Sequence, residues 1–312
     1  MNSYIESLKK DYFSGNVLKF LEVLEIDLKN YTLIGVSGNS FRITTITTLK
    51  ECLYSKKFNA GTIIFSNDLD KMISFKNRSI DEESFDFHAN CIKTVAEENN
   101  LEIGYYEALF LIGLNFFREQ KAVNIIVENI FSFLDCINFN YKLVNDYKED
   151  EAYSYSNINM KDFVTYKSEL CSFCYLNLDY DPLNYGSFSA YSYALALRLM
   201  DDVYPEIKLK KAKKIINDID PDYIMERINK NPRVILHLAL DLNDYNYVVS
   251  NIKKITSWPV KTISNNPLFK PDFLIKDTNE IKDIINSADI NSMTLILGDK
   301  LFVKEVKRFF IN

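Results

Sequence analysis

Glycine and histidine are the scarce residues of this chain. There are 8 glycines and 2 histidines in 312 residues. Nucleotide enzymes of α/β type commonly place several glycines in phosphate loops, where the backbone must bend and approach the ligand closely. So few leave room for one or two such turns. Two histidines, His88 and His237, exclude a histidine-rich metal centre and leave little for a His-based triad. All 7 prolines lie at or after Pro182, so the two ends of the chain differ in character. Five scattered cysteines are not a disulfide framework, and indicate a reduced compartment. No apolar run approaches the roughly 20 residues of a membrane span, and Met1 to Lys10 is polar and amphipathic, unlike a signal peptide. A net charge of −6 argues against nucleic acid as a partner, which calls for a basic stripe. These absences together describe a cytoplasmic protein without membrane or nucleic-acid partners. Asn, Lys, Ile, Tyr and Phe are abundant, a bias of the kind an AT-rich genome produces.

What is present is organised around Tyr31 to Leu53. The β-branched run Tyr31-Thr32-Leu33-Ile34-Gly35-Val36 ends in Ser37-Gly38-Asn39-Ser40. A Thr-rich segment then carries helical spacing through Ile46, Leu49 and Leu53. This pattern predicts a buried strand, a tight loop and a helix start. Such a junction aims backbone N–H groups and a helix dipole at one point, the geometry of a phosphate site. The Walker pattern G-x-x-x-x-G-K-[ST] adds a second glycine, a Lys for the phosphates and a hydroxyl for Mg²⁺. Here Phe41 and Arg42 stand where Gly-Lys belongs, with Thr44 and Thr45 beyond. A plain strand–loop–helix is the competing interpretation.

Before this stretch, Tyr4 to Leu8 and Val17 to Leu24 predict two amphipathic helices. After it, helix is expected over Thr44–Tyr54, strand over Thr62–Phe65 and an irregular segment over Ser66–Lys76. A helix opens at Asp81-Glu82-Glu83, with acids where the dipole favours them. Tyr105–Glu119 is apolar almost all round and predicts a buried helix. Val123–Val127 predicts a strand ending at Glu128. Residues 139–178 fit either two short strands or a surface excursion. Helices are expected at 186–200 and 208–219, and a second domain from Pro221. There, strands at 233–236, 272–275 and 293–297 alternate with helices at 244–255, 279–287 and 301–310. Strands alternating with helices predict a parallel sheet in each part.

The order of these segments resembles the folylpolyglutamate synthases and dihydrofolate synthases, the folate branch of the Mur ligase superfamily. Val36-Ser37-Gly38-Asn39-Ser40-Phe41-Arg42-Ile43-Thr44-Thr45 lies where that family has V-A-G-T-N-G-K-G-S-T. Ile73 to Glu83 resembles R-I-x-I-N-G-x-x-I-S-E-E, and Tyr105-Tyr106-Glu107-Ala108-Leu109 resembles the T-x-F-E-x-x-T helix. Val127-Glu128 through Asn138 resembles L-E-V-G-L-G-G-R-L-D-A-T-N with one residue deleted. Arg233 to Leu236 resembles the strand before D-G-A-H-N, and Leu295 to Phe302 the final G-S-L-Y turn.

The resemblance implies an α/β fold. A P-loop-like central domain over residues 1–220 carries a parallel sheet, and a smaller Rossmann-like domain covers 221–312. It also implies ATP-dependent amide ligation of glutamate to a folate, with Mg²⁺ bridging phosphates and protein. On matching positions the nucleotide site is Gly38, Arg42, Thr44 and Thr45, and the metal ligand is Glu128.

The departures are many. Arg42 replaces the loop Lys, and its planar fork does not fit the space of an ammonium. Phe41 replaces a glycine, at a cost of roughly 1–2 kcal/mol if the position needs positive φ. Ser132-Phe133 replaces Gly-Gly-Arg, Phe65-Ser66-Asn67-Asp68 replaces S-P-H-L, and Phe188 opens the segment matching H-Q-x-x-N-A. Asp222-Tyr223-Ile224 replaces P-G-R, and His237 to Asp241 replaces D-G-A-H-N. Neither a metal-binding His nor a Lys to be carbamylated is recognisable between Asn138 and Gly186. The expectation is a catalytically degenerate synthase-like protein. The alternatives are an active diverged synthase using Mg²⁺, ATP, folate and glutamate, and a scaffold that binds a protein partner through the old cleft. Phe41, Phe65, Phe133 and Phe188 are expected to fill that cleft. His237 and His88 are expected in structural roles. Cys171 and Cys174 form a C-x-x-C that lacks the further ligands of a zinc site.

Overall fold

The computed structural model describes residues 2–38, 40–65, 72–145, 155–157, 192, 195–197, 199–200, 203–204 and 224–311. The strand predicted at Tyr31–Val36 is β1 (Thr32–Gly38), and it runs through the glycine. It is an inner strand of a seven-stranded sheet with β2 (Ala60–Ile63), β3 (Ile73–Phe75), β4 (Arg78–Ser79), β5 (Asn124–Glu128), β6 (Tyr141–Asn145) and β7 (Tyr155–Asn157). Their spatial order is β4-β3-β2-β5-β1-β6-β7. Strands β2, β5, β1 and β6 are parallel, while at the edges β3 pairs antiparallel with β2, β4 antiparallel with β3, and β7 antiparallel with β6.

Side chains alternate along the inner strands, as a pleated strand with both faces covered requires. Leu33, Ile125 and Val127 face one core with α1 (Ser3–Ser7), α2 (Val17–Val23), α4 (Glu82–Glu98) and α5 (Tyr105–Glu119). Ile34, Val36 and Ile126 face the other core with α3 (Arg42–Ser55). That second core also takes Leu195, Ala196, Leu197, Leu199 and Met200, the described helical part of the segment predicted at 186–200. The predicted helix at 208–219, the C-x-x-C and Phe188 lie outside the described residues.

A second sheet holds β8 (Glu226–Asn229), β9 (Arg233–Leu238), β10 (Val260–Ser264), β11 (Phe273–Leu274) and β12 (Met293–Gly298), in the order β11-β10-β12-β9-β8. Only β8 is antiparallel among these. Helix α6 (Leu242–Ile255) covers one face, and α7 (Asn279–Asn286) with α8 (Lys300–Ile311) covers the other. The architecture is therefore α/β with two sheets, each mixed and mostly parallel.

Several boundaries differ from expectation. Helix α3 starts at Arg42 rather than Thr44, and β2 lies two residues before the predicted Thr62–Phe65. The end of the stretch read as irregular is β3, the first strand of the hairpin β3–β4. Its two-residue turn is Lys76-Asn77, both at positive φ (48° and 59°). That is the conformation for which Asn-Gly is the usual signal, and Lys-Asn does not announce it. Strands β8 and β10 were likewise not expected. Of the options for residues 139–178, the described part forms two short strands, β6 beside β1 and β7 beside β6.

One buried acid organises the entry to this domain. Glu107 is fully buried, and its carboxylate accepts hydrogen bonds from the backbone N–H groups of Ser14 (2.8 Å), Gly15 (3.0 Å) and Gly104 (2.8 Å). It pins the segment between α1 and α2 to the start of α5. Gly104 must be glycine, since a Cβ there would sit 1.8 Å from the Tyr12 carbonyl oxygen. Glu107→Ala strands one buried donor, the Gly104 N–H, at about 1–3 kcal/mol, and removes the hydrogen bonds of the more exposed Ser14 and Gly15 N–H groups at about 1 kcal/mol each. The expected loss is therefore at least about 3 kcal/mol by urea denaturation, and a loss under about 1 kcal/mol would mean that the segment finds other partners.

Candidate functional site

The loop after β1 leaves the sheet at its carboxyl edge, where Val36 is paired with Glu128 of β5. Gly38 has φ of +104°, a backbone shape that L side chains rarely adopt, so this glycine is needed. Phe41 lies at φ −66°, an ordinary helical value. The strain expected of a Phe replacing glycine is absent, because the loop makes its positive-φ turn at Gly38 and enters α3 early. The Ile43 N–H at the helix start is occupied by the Ser40 carbonyl (3.2 Å), which narrows the set of donors available to an anion.

Arg42 turns back across the loop to Glu128. Its Nε donates to Glu128 Oε1 at 2.7 Å and its Nη2 lies 2.5 Å from the same oxygen. Its Nη1 reaches the Gly38 carbonyl at 3.4 Å. The other carboxylate oxygen of Glu128, Oε2, accepts the Phe65 N–H at 2.7 Å. Both side chains of the pair are nearly inaccessible, 7% and 2% exposed. The cation expected to meet phosphates and the acid expected to hold a metal thus neutralise one another.

The threonines divide. Thr45 donates to the Ser192 carbonyl (3.2 Å), tying α3 to the neighbouring helical segment. Thr47 and Thr48 donate back to the carbonyls of Ile43 and Thr44, the local bonding that a Thr-rich helix favours. The Thr44 hydroxyl is fully buried and has no hydrogen-bond partner among the described residues. It is the residue whose surroundings best suit a further ligand. The rest of the donor set does not suit a divalent cation. Both Glu128 oxygens are occupied, a guanidinium stands beside them, and no group of three His, Cys, Asp or Glu side chains that could hold a metal occurs among the described residues.

Ser40 and Phe41 point away from this pair and into the second domain. Ser40 is fully buried, and its hydroxyl donates to Asp244 Oδ1 at 2.9 Å. His237 Nε2 lies 3.2 Å from the same hydroxyl. The Met225 N–H donates to His237 Nδ1 (3.3 Å), so the neutral ring carries its proton on Nε2 and donates it to Ser40. The Leu240 N–H completes Asp244 at Oδ2 (3.0 Å). Serine, histidine and aspartate meet here, but not as a nucleophilic triad. In a triad the acid binds Nδ1 of the histidine. Here Nδ1 takes a backbone N–H, Asp244 binds the serine, and all three residues are buried. His88, also buried, pairs with Asn115 (3.0 Å) in the first domain, a structural role as expected.

The phenylalanines do not form one plug. Phe65 and Phe133 meet at 6.0 Å in a cluster with Phe13, Tyr106 and Phe131. Phe41 lies elsewhere, 5.3 Å from the His237 ring and 6.4 Å from Tyr247. Sequence reasoning placed Arg42 and Glu128 in one site and overlooked Ser40 and Asp244. The available signal was Phe41 itself, since a large apolar side chain at a loop tip requires something apolar to cover it.

Burial sets the charge states of the node. It raises Asp244 from 3.8 to about 6, against the Leu240 and Ser40 hydrogen bonds and the Arg42 charge, and with Asp241 adding to the rise. Burial lowers His237 from 6.5 to about 3. The folded Asp244 holds its proton more tightly than the unfolded chain does. Its contribution is present below about pH 4 and lost as pH rises through about 6. The folded His237 resists protonation, so its contribution is present above about pH 6.5 and lost as pH falls towards 3. The two oppose one another between about pH 4 and 6. Relative to the native chain, Asp244→Asn should make stability climb with pH in that window, and His237→Gln should make it fall, each by up to about 1.4 kcal/mol per pH unit. Urea titrations followed by the single Trp258 would show this, and unchanged slopes in both variants would refute the assignment.

No family model matches the chain, and no curated protein matches it by sequence. Solved structures do match over its full length. A bifunctional folylpolyglutamate synthase/dihydrofolate synthase from Yersinia pestis, complexed with AMPPNP and Mn ion, superposes with a TM-score of 0.72 at 12% identity, covering 99% of this chain and 97% of that one. The apo form of Lactobacillus casei folylpolyglutamate synthase gives 0.66 at 10% identity, and a folylpolyglutamate synthase–AMPPCP–folate complex gives 0.67 at 11%, each covering 100% of both chains. The fold expected from the segment order is the one observed: the α/β arrangement with two mostly parallel sheets shared with these folylpolyglutamate synthase structures.

Proposed function

We propose that this chain is a folylpolyglutamate synthase-like protein whose nucleotide and metal positions have become structural, so that it no longer ligates glutamate to a folate. The observation that carries this reading is the buried Arg42–Glu128 pair, closed on its far side by the Phe65 N–H. A phosphate approaching Arg42, or a metal ion approaching Glu128, must first break that pair and leave a buried charge uncompensated. Removing one partner of such a pair costs about 3–5 kcal/mol. The loss of several groups that each contribute on the order of 10²-fold leaves no useful rate even without additivity. We assign the first domain to residues 1–220 and the second to 221–312. The two sheets, contained within 32–157 and 226–298, support that division. The reading places the protein in the cytoplasm, and no helix among the described residues is long and apolar enough to cross a membrane.

A second reading, an active diverged synthase using Mg²⁺ and ATP, draws on the unpartnered Thr44 hydroxyl and the retained Gly38 turn. On that reading Gly38, Arg42, Thr44 and Thr45 would bind nucleotide and Glu128 would bind the metal. Titration calorimetry separates the two. Under the first reading Mg²⁺–ATP gives no heat at millimolar concentration. Millimolar or tighter binding that Arg42→Ala abolishes would overturn it. A stability series gives an independent check. Glu128→Gln should cost about 3–5 kcal/mol, whereas Arg42→Met combined with Glu128→Leu should recover most of that loss.

A further inference from the structure

Within the core that includes α6 and one face of the second sheet, Phe41 is the single contributor from outside residues 224–297 among the described residues. That core also holds Met225, Ile235, Ala239, Tyr245 and Leu297, and Phe41, 1% exposed, packs its ring beside His237 and Tyr247. The adjacent Ser40 is fully buried between His237 at the end of β9 and Asp244 in the first turn of α6. One step further, Arg42 is anchored to Glu128 of the first sheet. Of three consecutive residues, Ser40 and Phe41 therefore engage the second domain and Arg42 the first. Ser40 supplies directional hydrogen bonds, Phe41 supplies apolar burial, and Arg42 fixes the base of the loop.

We propose that Ser40 and Phe41 form an interdomain latch, which holds the second domain closed on the first with no ligand between them. Burying a phenylalanine ring is favourable in the closed arrangement only, because opening returns the ring to water and strips the second core of a member. The hydrogen bonds add direction, since Ser40 satisfies two buried polar side chains that lose this partner when the domains part. A ligand that closes such a cleft contributes by binding the closed form better than the open one. In this chain, covalently attached side chains contribute that difference permanently. The latch goes beyond the reading of the nucleotide site, and the two can fail separately: calorimetry reports on nucleotide, whereas the following experiment reports on domain closure.

The experiment combines small-angle X-ray scattering on the ligand-free full chain with urea unfolding read by two probes. Trp258, stacked under Arg233 at 4.6 Å, reports on the second domain, and far-UV circular dichroism reports on the whole chain. The native protein should scatter as a single closed form, and its two unfolding curves should coincide. Phe41→Ala should enlarge the radius of gyration, require open conformers to fit the scattering, and separate the curves. Its Trp258 midpoint should fall by on the order of 1 M urea. Ser40→Ala should shift both readouts in the same direction by less, and Phe41→Leu should restore closure and coincidence. If Phe41→Ala does not fold, Ser40→Ala and Phe41→Leu decide the matter by the same readouts. Open conformers in the native protein, native curves that already separate, or a Phe41 or Ser40 series with unchanged scattering and coincident curves would each overturn the latch.

Discussion

The contact between Arg42 and Glu128 is the constraint from which the rest of the site follows. Each is a charge that the fold presents at the carboxyl edge of the first sheet, the edge where open α/β sheets gather their ligands. Left alone, each would need water, an ion or a substrate. Joined at 2.5–2.7 Å beneath the surface, they need none of these. Burial of ions is costly, and such a pair is weak evidence for stability by itself. Its effect here is geometric. With Arg42 drawn onto β5, α3 begins at Arg42, the Ile43 N–H is occupied, and Ser40 and Phe41 are turned outward towards the second domain.

Much of the fold was legible because its signals are local. The run at 31–36, the apolar helix at 105–119 and the acid-started helix after Asp81 each carry their own period or cap, and the structure places all three close to expectation. The Asp81 side chain indeed caps its helix by accepting the Ser84 N–H at 2.8 Å. What escaped was structure whose cause lies elsewhere in the chain. The β3–β4 hairpin turns on Lys-Asn instead of Asn-Gly, and β10 mixes Lys, Thr and Ser into a strand that only its neighbours β11 and β12 complete. Strands β3, β7 and β8 reverse the sheet direction, which strand–helix alternation cannot announce.

That Arg42 and Glu128 lie close together was legible in the sequence, and that they pair was not. Reading Arg42 and Glu128 as residues of one site needed only position in the chain. That they face one another with no space between depends on the rotation of a side chain at a helix start. The Ser40–His237–Asp244 node is further still from sequence, since its members lie about two hundred residues apart. His237 was expected as a buried strand-end residue, and it is 1% exposed at the end of β9. Its partner across the domains could not be named from spacing.

Phe41 has a consequence for the history of the chain. A glycine at this position would leave the loop free and the second core with a hole. The corresponding loss for a buried phenylalanine is about 3–5 kcal/mol, against a total of 5–15 kcal/mol for a typical domain. A Lys at position 42 would in turn offer Glu128 a single ammonium in place of a broad fork. A lineage that opened this loop would therefore pass through poorly folded intermediates before any new chemistry could be selected. The loop is a ratchet: once a side chain carried by one domain completes the core of the other, substitutions that remove it are the ones that selection removes first.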